Sequence, residues 1–544
     1  MRLRSSLLLL LVGCLGGGRP ARATDYFVSA SGRDQNAGTS EDQAWHGLER
    51  ANQTRFLPGD RLLFRGGETF SGTVRLDATD SGSPEKPVVV SSFGPGRATL
   101  QAGRMSGLMA QNMSGLVISN LTLAGAGLET NQGAGMQFRN NFPDGRRLPF
   151  VRISDVEVHG FGGSGLVFVG VAGGFSDVEV TGGSFHDNQR AGIFFWGLRP
   201  SAHEEIRIKD CRAFNNPGDP RSVKNSGNGI LLGSVRGGVV EFCVAYNNGA
   251  ACRATEGPEG IWTYDSSRVL IQHNEAHHNR TGGPADGGGF GLDQNVSDSI
   301  LQYNYSHDND GAGYLLAHAP DNEAFKRNVV RFNISENDGR KNGYAGIDLW
   351  GRVAETQIYH NTVFVSASRS GTPGALRIFN YGIPHHDVQD VLIVNNLLIT
   401  SGRVPVVEVS SEQVTGARNL RFQGNNYFSA TRDFSIRWAE RRFSNLESWR
   451  KSARQEIRDG VAIGLSADPK LSGSGTDGFP GDPARLDELA AYRLKESSLM
   501  RDAGLNLLTL FGIERGAIDY FGNDLLSAAG FHIGADQGAR DRKR

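Results

Sequence analysis

A pattern that returns about every 30 residues constrains this chain more than any other feature. The segments VTGGSFHDN, IKDCRAFNN, VEFCVAYNN, IQHNEAHHN, LQYNYSHDN, VRFNISEND, IYHNTVFVS, IVNNLLITS and FQGNNYFSA align on their fourth residues. That column is Gly183, Cys211, Cys243, Asn274, Asn304, Asn333, Asn361, Asn396 and Asn425, with spacings of 28, 32, 31, 30, 29, 28, 35 and 29. Units then carry a bend and, after a glycine in most of them, a second short apolar stretch such as GIWTYD, GFGLDQ, GYLLAH or GIDLWG. The hydrophobic spacing is that of strands, with β-branched and aromatic residues bounded by turn formers. Nine such units predict an all-β solenoid, in which each coil buries its apolar face against its neighbours. The six asparagines of the column should stack as a ladder with rungs ~4.8 Å apart. Cys211 and Cys243 then fill the same buried bend, and the sequons headed by Asn304 and Asn333 are expected to be buried.

The second strand of each unit carries the functional expectation. Its apolar pairs, Ile193/Phe195, Ile230/Leu232, Ile261/Thr263, Phe290/Leu292, Tyr314/Leu316, Ile347/Leu349 and Leu376/Ile378, have the period of two that turns them inward. The alternate residues then face outward, and they include Trp196, Trp262, Tyr264, Trp350 and Phe379 together with Asp293, Asp348 and Arg377. Flat aromatics in a row suit the apolar faces of sugar rings, while charged groups between them suit hydroxyls and carboxylates. Asp293 and Asp348 are expected two rungs apart, ~9 to 10 Å between backbones. Arg377 is expected one rung beyond Asp348, where it could simply pair with it. The stretch ADGGGFGLDQN, residues 285–295, puts Gly291 at an outward position. With Ala317 it predicts a low floor beside Asp293 where a polymer lies against the backbone.

Clustered acidic residues on neighbouring turns, Asp286, Asp308 and Asp310, suit a Ca²⁺ ion, although such residues also serve as plain turn formers. His318 and the loop residues Arg340 and Lys341 are near in register.

The repeats resemble the pectate-lyase-like right-handed parallel β-helix superfamily of secreted carbohydrate-active enzymes. DYFVSASGRDQNAGTSEDQAWHGLERAN near the start and YRLKESSLMRDAG, DYFGND and HIGADQ near the end resemble its terminal segments. The resemblance implies an N-terminal cap, a β-helix over residues 24–429 and a C-terminal capping segment over 430–544, with a helix in WAERRFSNLESWRKSARQEIRDG. ADGGGF followed by DNDGAGYLL is similar to the acidic turns of family-nine pectate lyases, which would make Asp286, Asp308 and Asp310 calcium ligands. The chain departs from that family where a catalytic lysine is expected, since the corresponding strands offer Leu315 and Asp348. Arg377, Lys341 or His318 would have to serve as the base.

Bulk composition narrows the partners. Lys+Arg 57 against Asp+Glu 58 leaves a formal net charge of -1, which argues against nucleic acid or an anionic membrane as partner. The N-terminus, MRLRSSLLLLLVGCLGGGRPARA, reads as a secretory signal over residues 1–23, and LVGC within it also reads as a lipoprotein signal lipidating Cys14. A secreted or periplasmic monomer without a membrane span is therefore expected. The function expected first is a lyase cleaving a uronic-acid polysaccharide by β-elimination, and the alternatives are an inverting glycoside hydrolase using Asp293 and Asp348 and a noncatalytic carbohydrate-binding protein.

Overall fold

The chain was analysed as a computed structural model that describes residues 23–380, 382–475, 481–526 and 530–538. The expected secretory leader and Cys14 lie outside these residues, apart from Ala23. No helix among the described residues is long and apolar enough to cross a membrane.

Short strands stack coil upon coil into a parallel β-helix. A fourteen-stranded sheet runs from Val74–Leu76 to Arg441–Phe443, with only its last pairing antiparallel. A 25-stranded sheet forms the other faces. One coil illustrates the path: Glu259–Tyr264 lies in the first sheet, then Ser267–Gln272 and Glu275–His277 in the second, and a loop leads to Gly288–Asp293 of the next coil. Ile261 pairs with Phe290, Phe290 with Tyr314, and Tyr314 with Ile347, so the inward column forms one continuous core. These four residues are fully buried.

Two bends in each coil obey one rule. A residue in the left-handed conformation (Phe242, His273, Tyr303, Phe332 or His360) turns the chain, and the next residue points inward. At the first bend this residue is the expected asparagine. Asn274 Nδ2 donates to Asn304 Oδ1 at 3.0 Å, Asn304 to Asn333 at 3.1 Å, and Asn333 to Asn361 at 3.0 Å. The ladder continues through Asn396 and Asn425 and ends on Glu456 Oε1 at 2.9 Å. Asn304 and Asn333 are fully buried, and Cys211 and Cys243 are free, buried thiols at the start of the column.

A second ladder, absent from the sequence expectation, occupies the other bend: Asn216, Asn248, Asn279 and Asn309, ending on Asp338 Oδ1 at 2.8 Å. Both ladders pass their donors in one direction, so the last asparagine amide must find an acceptor. A carboxylate supplies it with no competing donor.

The C-terminal residues divide into two parts. Ile436–Trp438, Arg441–Phe443 and the helix Leu446–Ala453 pack on the last coil, with Trp449 buried against Phe422, Tyr427 and Trp438. The helix is shorter than the sequence suggests, bounded by an Asn445 cap and by Arg454 in the left-handed conformation. Beyond it, Leu486, Tyr492, Met500, Leu507 and Ile533 return along the flank and pack on Tyr305, Ile334, Leu392 and Leu397. This strap covers the side of the solenoid rather than its end.

Candidate active site

Loops before and after the fourteen-stranded sheet rise on either side of its outer face and leave a cleft of about 1210 Å³. Its lining includes Trp196, Trp262, Tyr264 and Trp350, with Asp286 and Asp293 at the floor. The period of two thus places four of the five expected aromatics and the central aspartate together. Trp262 is largely buried as a wall, its indole donating to Asn228 Oδ1 at 2.8 Å. Phe379 does not line the cleft, because its ring lies under the Arg377 guanidinium at 4.2 Å.

A third carboxyl, Glu259, is buried next to this floor over Gly291 without lining the cleft, and the sequence reading missed it. It shares parity with inward Ile261 and Thr263, but the chain turns a corner at Gly260. A Cβ on Gly260 would meet interior Ala276 and Asn279, so the alternation breaks there and Glu259 points out. Its carboxyl lies over Gly291, where an added Cβ would sit 2.0 Å from Glu259 Oε2. The expected bare floor at Gly291 is therefore wrong: the missing side chain makes room for a carboxyl group.

Gly291 and Asp293 are alternate residues on one strand face, about 6.6 Å apart. The Glu259 carboxyl therefore sits one strand dipeptide, ~6.6 Å, along the strand from the Asp293 backbone position. Asp293 is half-buried, and its Oδ1 accepts from the Gln294 N–H at 2.9 Å. Burial, followed by the charge of Asp286, pushes its carboxyl up to about 8. Burial, then Asp286 and Asp293, holds Glu259 far above the ordinary carboxylate range. Asp286 is raised by burial and lowered by two donors: Tyr344 Oη bonds Asp286 Oδ1 at 2.9 Å, and the Gly257 N–H bonds Oδ2 at 2.9 Å. Burial and mutual repulsion of these three neighbouring carboxyls disfavour ionising all of them together.

The other expected catalytic residues lie elsewhere. Asp348 occupies the column of Leu315 and Gly291, whereas Asp293 aligns with Ala317 and Trp350. Two rungs and two residues separate the aspartates, a diagonal of about 12 Å between backbones rather than 9 to 10. Asp348 is fully buried, accepts from the Ala345 N–H at 2.9 Å, and is pushed up to about 7 by burial against the lowering charge of Arg377. Arg377 is buried beside it, with Glu408 3.7 Å away on the other side. His318 is also buried; Nδ1 accepts from the Asn295 N–H at 3.2 Å and Nε2 faces Asn322 O at 3.3 Å, which leaves no lone pair for a substrate proton. Lys341 donates to Thr281 O at 2.6 Å and lines a separate recess.

The expected calcium set does not converge. Asp286 faces the cleft, while Asp308 and Asp310 line the recess of Lys341 and Arg340. Asp310 accepts from Arg280 at 3.1 Å and from the Thr281 N–H at 3.1 Å, while Asp308 Oδ2 lies 3.0 Å from His307 Nδ1. The three carboxylates thus face two separate cavities and donors already occupy Asp286 and Asp310, so this set does not fit that ion.

The sequence matches the family described as "Right handed beta helix region" over residues 202–363, which contain Glu259, Asp286 and Asp293. The fold is a right-handed parallel β-helix. Over 109 residues, 20% of this chain, the β-helix protein is 32% identical to a lacto-N-biosidase of Bifidobacterium longum subsp. longum. That stretch spans 6% of the relative's length. Among solved structures it is similar to the GH136 lacto-N-biosidase from Eubacterium ramulus, with a TM-score of 0.49 and 19% identity, covering 65% of this chain and 68% of that one. It is also similar to pectate lyase Pel9A, with a TM-score of 0.46 and 14% identity, covering 95% and 97%.

Proposed function

We propose that this β-helix is a glycoside hydrolase acting on an uncharged sugar chain, with Glu259 and Asp293 as its two working carboxyls. The observation that carries this reading is Asp293 on the floor of an aromatic-lined cleft with the buried Glu259 carboxyl packed beside it over Gly291. One of the pair holds a proton for the leaving oxygen, and its ionised neighbour serves the anomeric carbon directly or through water. Asp286 supplies the charge that keeps a proton on the pair, and Tyr344 orients Asp286. The stretch similar to a lacto-N-biosidase points the same way.

The charge of the cleft weighs against a uronate-cleaving lyase. Glu256, Asp265, Asp286 and Asp293 line it against Arg190 and Lys224, and Lys224 is already paired with Glu256 at 2.8 Å. A lyase needs cations around the substrate carboxylate to acidify the C5 proton. This cleft offers carboxylates instead.

The test is a panel of neutral and acidic glycans assayed for reducing ends and for the absorbance of unsaturated uronates. The hydrolase reading expects reducing ends without that absorbance, lost in Glu259→Gln and Asp293→Asn. An unsaturated product would establish a lyase, and binding without cleavage of any glycan would establish a binding protein.

A further inference from the structure

Away from the cleft, four side chains with metal-ligating atoms meet on two adjacent coils. Strand Glu275–His277 pairs with Tyr305–His307, which sets His277 beside His307 with their rings stacked at 4.7 Å. His278 and Asp308 follow at the bend, both in the left-handed conformation that swings them toward each other. His277 Nδ1 and His278 Nδ1 face each other at 2.9 Å, and Asp308 Oδ2 lies 3.0 Å from His307 Nδ1. Donor atoms of His278, His307 and Asp308 all lie within 4.8 Å of one another.

We propose that His278, His307 and Asp308 form a binding site for a divalent transition metal ion of the zinc class, with His277 beside His278. Metal–nitrogen bonds of about 2.0 to 2.1 Å in a tetrahedron put neighbouring ligand atoms roughly 3.4 Å apart, close to the spacings seen here. Two imidazoles and one carboxylate select such an ion over calcium, which prefers an all-oxygen shell.

The groups behind the ligands support the assignment. His307 Nε2 lies 3.1 Å from Glu275 Oε1, so a carboxylate orients the ring and leaves Nδ1 for the ion. Glu275 is fully buried, and its Oε2 has no hydrogen-bond partner among the described residues. A buried carboxylate with an unused oxygen behind a histidine is a charge that a bound cation compensates. The ion has a way in, because His278 and Asp308 are half-buried and line a recess of about 470 Å³. The neighbouring guanidiniums are engaged elsewhere, Arg280 on Asp308 O and Asp310, Arg340 on Ser366 O and Asp338 O.

A bound ion would staple two coils beneath the C-terminal strap, since Tyr305 stacks on His307 at 4.5 Å and joins the strap cluster with Tyr492 and Tyr520. It is a structural site, distinct from the carboxyls of the cleft.

The test uses the full chain without an affinity tag, stripped with a chelator and dialysed, then titrated with Zn²⁺ by calorimetry and with Co²⁺ by visible absorption. The expected result is one saturable equivalent, Co²⁺ bands of an imidazole-containing site, and a higher unfolding temperature with Zn²⁺. His278→Gln and Asp308→Asn, both at half-buried positions, should each weaken binding at least tenfold, and Glu275→Gln should weaken it about 10- to 100-fold. Melting curves of the metal-free variants verify that they fold. Absence of saturable uptake, or uptake that survives both His278→Gln and Asp308→Asn, overturns the site.

Discussion

Glu259 places its carboxyl group where the side chain of residue 291 would be: a Cβ on Gly291 would lie 2.0 Å from Glu259 Oε2. The obstructed atom is the far end of a flexible side chain, so Gly291→Ala should fold with nearly unchanged stability while pushing the carboxyl aside. A displacement of about 1 Å in a catalytic group costs on the order of 100-fold in rate. The expected outcome is a fall of that size in kcat/KM with an unaltered melting temperature. Full activity in this variant would remove Glu259 from the mechanism.

The same cluster predicts a pH dependence. Burial and Asp286 raise the Asp293 carboxyl from an ordinary 3.8 to about 8. As pH rises between those values the unfolded chain releases this proton and the folded chain keeps it, so stability falls across the interval. The contribution is complete below about 3.8 and gone above about 8. Asp293→Asn should therefore raise the melting temperature at pH 8 relative to the parent and change it little at pH 4. Catalysis by the protonated cluster should decline on an alkaline limb near pH 8, which a kcat/KM profile reads as a property of the cluster.

The sequence disclosed the coil because residue types repeat wherever the backbone repeats. The asparagine column from Asn274 to Asn425 and the inward pairs such as Ile261/Thr263 are direct records of that geometry. Asp293 was legible for the same reason. Glu259 was not, because the corner at Gly260 interrupts the alternation that strand parity assumes. Asp348 and Arg377 do face outward as the period requires, yet Tyr344, Trp350 and Phe379 pack beside them, and no local pattern encodes which part of a sheet face the loops leave open. Asp310 likewise reads as a calcium ligand only until Arg280, a coil earlier in sequence, is seen to bond its carboxylate, and Asp308 only until it is seen to line a different cavity from Asp286.

Asparagine ladders make the coil sensitive to single truncations. The Asn333 side chain donates to Leu301 O at 2.9 Å and to Asn361 Oδ1 at 3.0 Å, and accepts from the Asn304 N–H at 3.0 Å. Asn333→Ala strands several fully buried polar groups at once, each costing about 1 to 3 kcal/mol. A loss of at least about 3 kcal/mol in urea-monitored stability is expected on that basis. An unchanged unfolding midpoint would mean the ladder contributes nothing net.

The aromatic row offers a sharper discrimination than its members' shared sequence pattern suggests. Trp196 lines the cleft some three rungs from Asp293, whereas Phe379 belongs to the outward column of Asp293 but is occupied by Arg377. A sugar chain lying in the cleft as proposed would meet Trp196 away from the reacting bond, so this residue should hold substrate and transition state equally. Loss of such uniform binding raises KM and leaves kcat alone. Trp196→Ala should raise KM about tenfold, equivalent to ~1.4 kcal/mol, at constant kcat. Phe379→Ala should leave both constants unchanged, because its ring meets a guanidinium instead of the cleft. Steady-state kinetics on one glycan decide the matter: equal effects from the two substitutions would mean that the substrate follows the whole outward strip rather than the cleft that the loops enclose.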